Sequence, residues 1–170
     1  MFDGEIKLSG KHASYLKFLS AKTLQLNKSA PCAAVLRRHV DVYIAGVAIG
    51  LAKKLKTQTD NSIADTATIF ADAVISEQEK LKVLYRIMQL INDSSLSAED
   101  RIDLAFRYDT DAEYVKKGME LFNSYARGGI QWLYDEITEN ATTKEDYIEN
   151  IAEMIDNYYQ DYNDSFANQM

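Results

Sequence analysis

Apolar residues recur at helical spacing along most of the chain. The clearest run is Val115, Met119, Phe122, Ala126, Ile130, Leu133 and Ile137, stepping by three and four over about 112–138. Asp109-Thr110-Asp111 supplies a cap before it. A second stripe, Ile148, Ile151, Ile155, Tyr158 and Tyr162, follows the capping-box pattern Thr142-Thr143-Lys144-Glu145. Leu81, Leu84, Met88 and Ile91 predict a helix over 77–92, separated from the preceding one by Ser76-Glu77-Gln78-Glu79, another capping-box pattern. Shorter helices are predicted over 11–22, with Tyr15, Leu16, Phe18 and Leu19 inward, and over 97–107, burying Ile102, Ala105 and Phe106. Asp60-Asn61-Ser62 predicts a helix start near Ile63, with Phe70 and Val74 on its inner face. Residues 5–8 are too short to assign and suit either a strand or an ordered arm. Residues 25–31 read as loop.

Residues 42–52 are apolar nearly all round. They make the predicted helix over 33–54 the central one of the domain. Gly46 and Gly50 stand four apart within it, and Gly128-Gly129 sits inside the 112–138 helix. A glycine in a helix interior costs about 1 kcal/mol, so Gly46 and Gly50 imply close packing against another helix, and Gly128-Gly129 implies either a kink or a close contact with another backbone. The spacing leaves open whether that backbone belongs to the same chain or to a second copy. The predicted fold is all-α: one domain over 1–170 with six to seven helices. An N-terminal arm spans 1–9, a fraying tail spans 163–170, and the helices over 112–138 and 143–162 pair antiparallel against the central one.

With 170 residues, seven Gly and one Pro, the composition suits one globular domain rather than a linker-rich or turn-dense chain. One Cys allows no internal disulfide framework, and Cys32 reads as a small buried or half-buried thiol. No apolar run reaches the ~18 residues of a membrane span, and no secretory leader is visible, so a cytoplasmic protein is expected. The net charge of −7 is unevenly distributed. Residues 1–59 hold ten Lys and Arg against three acids, 60–142 hold eight against sixteen, and 143–170 hold one against seven. The basic third is the candidate for nucleic acid, through Arg37 and Arg38 near a helix start and Lys53, Lys54 and Lys56 at its far end. The bland alternative is that these cations pair with the acidic helices or solvate the surface. In the acidic end, Tyr158 and Tyr162 either complete the core or form a contact surface. Tyr159, off the stripe, is the better contact candidate.

Catalytic patterns are missing from the sequence. There is no phosphate-binding loop, no Gly-x-Gly-x-x-Gly, no Gly-x-Ser-x-Gly elbow and no His pair at metal-binding spacing; His12 and His39 lie 27 residues apart. A non-enzymatic protein with no metal and no cofactor is therefore expected.

Three segments carry a resemblance. They are Arg38-His39-Val40-Asp41-Val42-Tyr43-Ile44-Ala45-Gly46-Val47-Ala48-Ile49-Gly50-Leu51, the Ile69-Phe70 helix followed by the helix from Ser76 to Ile91, and Phe122-Asn123-Ser124-Tyr125-Ala126-Arg127-Gly128-Gly129-Ile130. Their order and spacing resemble small bacterial proteins associated with DNA phosphorothioation (Dnd-type) modification and restriction loci, over about half the chain. The shared residues are core-like, so the resemblance implies fold more than function and supplies no catalytic residues. It implies an accessory or adaptor of a DNA-modification or phage-defence system, with a modification or restriction subunit as protein partner. DNA contact is a second expectation and self-association a third. Two other readings stay open: direct nucleic-acid binding by the basic third, and an acidic DNA mimic that inhibits a nuclease or restriction enzyme.

Overall fold

The computed structural model describes residues 1–20, 36–108 and 110–167, with side chains to residue 164. Strand β1 (Ile6–Ser9) leads into α1 (Lys11–Leu19). Then come α2 (His39–Lys53), strand β2 (Thr66–Ile69), α3 (Ala71–Ser76), α4 (Gln78–Ile91), α5 (Ala98–Phe106), α6 (Ala112–Thr138) and α7 (Lys144–Ala167). The fold is all-α, carrying one small antiparallel ribbon in which Ile6 pairs with Ile69 and Leu8 with Ala67.

Helices α2 and α6 form the centre. Their backbones meet where the glycines stand. A Cβ at Gly46 would lie 2.6 Å from Ile130 Cγ1 and 2.8 Å from the Ala126 carbonyl oxygen. One at Gly50 would strike the Tyr125 carbonyl, and one at Gly129 the Gly46 carbonyl. One at Gly128 would come within 2.5 Å of the Leu55 carbonyl oxygen. Gly46, Gly50 and Gly129 therefore serve one crossing inside the chain and Gly128 admits the segment just after α2, while α6 runs through Gly128-Gly129 as a continuous helix without the alternative kink. Beside the crossing, Phe2, Tyr43, Tyr85 and Phe122 form an aromatic cluster, with Phe122 5.4 Å from Phe2 and 6.1 Å from Tyr43. The Tyr43 hydroxyl donates to Asn123 Oδ1 at 2.6 Å, and burial pushes that phenol's pKa up. The predicted α6 stripe is buried from Phe122 through Ala126, Ile130 and Leu133 to Ile137, while Val115 and Met119 are half-buried.

Several expectations are corrected. Residues 66–69 form a strand, not part of a helix beginning near Ile63. Thr66, Thr68 and Ile69 are β-branched, burial alternates along the run, and β1 completes the pairing. Phe70, expected inside, is 59% exposed, whereas Val74 is buried. Asp60 caps a different helix from the one expected: its Oδ2 accepts from the Lys11 N–H at 2.7 Å, closing the start of α1 from 49 residues away. The chain does break at Ser76, but Ser76 Oγ donates to the Ala73 carbonyl instead of capping α4. Helix α4 buries Leu81, Tyr85 and Met88, leaving Leu84 half-buried and Ile91 exposed. In α5, Ala105 is buried, but Ile102 and Phe106 are exposed. The caps at Ser97 and Asp111 match the sequence reading. Helix α2 begins at His39, and residues 33–35, the 25–31 loop, Cys32 and the expected end of the first helix lie outside the described residues. Residues 6–9 of the expected arm are strand, and α7 continues to Ala167, well into the expected tail.

Candidate docking surface

Helix α7 is fixed at its start. Asp146 Oδ2 accepts from the backbone N–H groups of Thr142 and Thr143, both at 2.7 Å, and these bonds lower its pKa to about 2. Thr143 Oγ1 accepts from the Asp146 N–H, so the capping box is Thr143 with Asp146. Asn150 Nδ2 donates to the carbonyls of Ile137 and Glu139, tying α7 to the end of α6. Tyr147 is buried, with its ring centre 6.0 Å from that of Phe18. Ile151 and Met154 are half-buried.

From Ile155 to Asp164 every side chain of the helix is exposed. Ile148 and Ile155, expected on the inner stripe, are exposed, as are Tyr158 (65%), Tyr159 (60%) and Tyr162 (50%). The expected antiparallel pairing of α6 and α7 therefore holds only for the first half of α7. The inward line runs through Tyr147, Ile151 and Met154: Ile151 is shared with the predicted stripe, while Tyr147 and Met154 stand one position before Ile148 and Ile155. Tyr158 and Tyr162 therefore do not complete the core. The three tyrosines lie close together, Tyr158 being 6.1 Å from Tyr159 and 6.4 Å from Tyr162 between ring centres.

Between this half of α7 and the body lies a groove of about 750 Å³. Ile49, Ala52 and Lys53 of α2 and Trp132 of α6 form one wall; Met154, Ile155, Tyr158 and Tyr159 of α7 form the other. The Lys53 ammonium lies over the Trp132 ring, 4.4 Å from its centre. A smaller polar depression adjoins, lined by Glu136, Glu139, Asn140, Asn150, Glu153, Met154 and Asn157. It shares Glu136, Met154 and Asn157 with the groove. Trp132, Met154 and the acids Glu136 and Glu153 were not singled out by the sequence. Trp132 was the available signal, being the one tryptophan and lying off the buried stripe of its helix.

Of the basic candidates, Arg38 is neutralised by carboxylates, whereas Lys53 and Lys56 are held by neutral groups and keep their charge. Arg38 binds Asp41 through two nitrogens and reaches Glu77 Oε1 at 2.7 Å, contacts that raise its pKa. Lys56 donates to Asn92 Oδ1 at 2.8 Å and stands over the Tyr125 ring. Lys53 belongs to the groove. Arg37 and Lys54 are exposed, and Lys54 ends α2 in the left-handed conformation (φ 57°). His12 is fully buried, and among the described residues neither ring nitrogen makes a hydrogen bond of acceptable geometry. Burial, then the charges of Lys11 and Arg127, lower its pKa to about 4 against the opposing pull of Asp60 and Gln131. The Nδ1 of His39 lies 3.5 Å from the Thr68 carbonyl oxygen. Among the described residues, no group of His, Cys, Asp and Glu is arranged to hold a metal ion, and no helix is long and apolar enough to cross a membrane. No protein-family model, curated protein or solved structure matches the chain.

Proposed function

We propose that this chain is a non-enzymatic docking protein whose contact surface is the second half of α7 with the groove beneath it. The observation that carries the reading is the exposure of Tyr158, Tyr159 and Tyr162 together on a helix whose first half is firmly anchored. Tyrosine brings a large contact area with few rotatable bonds, and clustered exposed aromatics of this kind mark protein interfaces. The resemblance of the core segments to proteins of DNA phosphorothioation loci supplies the cellular setting: an accessory of a bacterial DNA-modification or defence system, partnered by one of its subunits. The pairing of Arg38 with Asp41 and Glu77, and the place of Lys53 in the groove wall, make DNA contact the secondary reading, carried by the exposed Arg37 and Lys54.

The test is affinity capture from the native host at low salt, comparing the wild type with Tyr158→Ser/Tyr159→Ser and with Arg37→Glu/Lys54→Glu. The docking reading expects a stoichiometric protein partner that the tyrosine change releases and the charge reversal retains. Recovery of nuclease-sensitive nucleic acid without a protein, lost on charge reversal, overturns it in favour of DNA binding.

A further inference from the structure

The groove's charge narrows the class of partner. Its floor and walls are apolar and aromatic, but its α7 side and the adjoining depression carry Glu136, Glu139, Glu153 and Asp161, all exposed. Among the described residues that line the groove, Lys53 is the one cation, and it lies over Trp132. Across 143–170 the chain holds seven acids and one Lys. This field repels nucleic acid and anionic lipid. It also opposes a symmetric pairing of α7 with α7 from a second copy, which would set acid against acid. Along α7 the groove runs from Met154 to Asp161, about 10 Å or two turns, and exposed Ile148 and Tyr162 carry the apolar line beyond it to about 20 Å. A partner helix of similar length could bury an apolar stripe in the groove while its cations face the glutamates.

We infer that the groove accepts a basic amphipathic helix of a partner protein, its apolar face against Trp132, Ile155 and Tyr158 and its Lys or Arg side chains toward Glu136 and Glu153. This rests on the docking reading above and specifies the partner's chemistry.

Trp132, the one tryptophan, lies in the groove wall and reports occupancy directly. The full chain is titrated with a synthetic Leu/Lys amphipathic helix of about 15 residues lacking aromatics, and with its Leu/Glu counterpart. The expected result is a saturable change in Trp132 emission with the Leu/Lys peptide and none with Leu/Glu. Glu136→Lys/Glu153→Lys should weaken binding by roughly tenfold. Reversal of the remote acids, Glu99→Lys/Glu120→Lys, should leave it unchanged, which separates the groove from general attraction to an acidic protein. Equal responses to both peptides, no saturable response, equal weakening by the remote reversal, or self-association of the chain that itself changes Trp132 emission would each overturn the inference. Failure here with continued loss of the native partner on Tyr158→Ser/Tyr159→Ser removes the basic-helix assignment alone. Retention of that partner by the tyrosine variant removes the docking reading itself.

Discussion

Gly129→Ala puts one methyl group into the α2–α6 crossing, where it meets the Gly46 carbonyl, with its carbon at 2.7 Å, and the Gly50 nitrogen, also at 2.7 Å. These are backbone atoms of a helix buried on most sides, so no side chain can swing away. Two effects oppose one another. Alanine favours the helix by about 1 kcal/mol over glycine. Overpacking of a rigid contact costs about 1–3 kcal/mol, and more where the atoms met are backbone. Relief requires α2 and α6 to separate, which loosens the neighbouring contacts of Tyr43, Phe122 and Ile130. Put at about 3–5 kcal/mol because only backbone atoms are met, this cost less the helix gain leaves a net loss of about 2–4 kcal/mol, or roughly 5–15 °C in Tm for a domain of this size. Thermal unfolding followed by far-ultraviolet circular dichroism reads it. Gly4→Ala is the control, because nothing lies within 4 Å of the added carbon; it should change Tm by no more than a degree or two. A Gly129→Ala protein as stable as the wild type would show that helix propensity outweighs packing here, refuting the claim that the glycines hold the crossing.

The buried His12 sets a pH dependence. Its unfolded pKa is 6.5 and its folded pKa about 4. Between them the unfolded chain binds more protons, so stability falls by about 3 kcal/mol as pH drops through that window and the loss levels off below it. His12→Leu should flatten the denaturant midpoint between pH 6.5 and 4.5. Asp60 and Asp146, both held at about 2, add their losses only as pH falls below about 4. Asp60→Ala leaves the Lys11 N–H without its acceptor and should lower the denaturant midpoint at pH 7, read by chemical denaturation. Lys54→Gly relieves a side chain held at φ 57° and should raise stability by up to about 1 kcal/mol; a loss would show that Lys54 makes a compensating contact.

What the sequence revealed and concealed follows from the range of the interactions involved. The α2–α6 crossing was legible because Gly46, Gly50, Gly128 and Gly129 break helix propensity in two otherwise strong helices, and such a break needs a neighbour. The Ser97 and Asp111 caps were legible because their partners lie within three residues. The Asp60 cap was not, since its acceptor role depends on α1 arriving from 49 residues away. Residues 66–69 resembled the start of a helix because Phe70 and Val74 stand four apart, yet pairing with Ile6–Ser9 decides the strand. In α7 the periodicity was genuine, but two adjacent apolar lines exist. Tertiary contact with Phe18 selects the line through Tyr147 and leaves that of Ile155 and Tyr158 exposed. The three tyrosines named from the sequence are exposed, while the groove beside them needed Trp132 and Lys53 brought against α7.

Photo-crosslinking in the native host, with a benzophenone amino acid at position 159 in one variant and at position 37 in another, tests the docking claim most directly. The account predicts one dominant protein adduct from position 159 and no nucleic-acid adduct from position 37. Nucleic acid captured from position 37, with nothing captured from position 159, would contradict it.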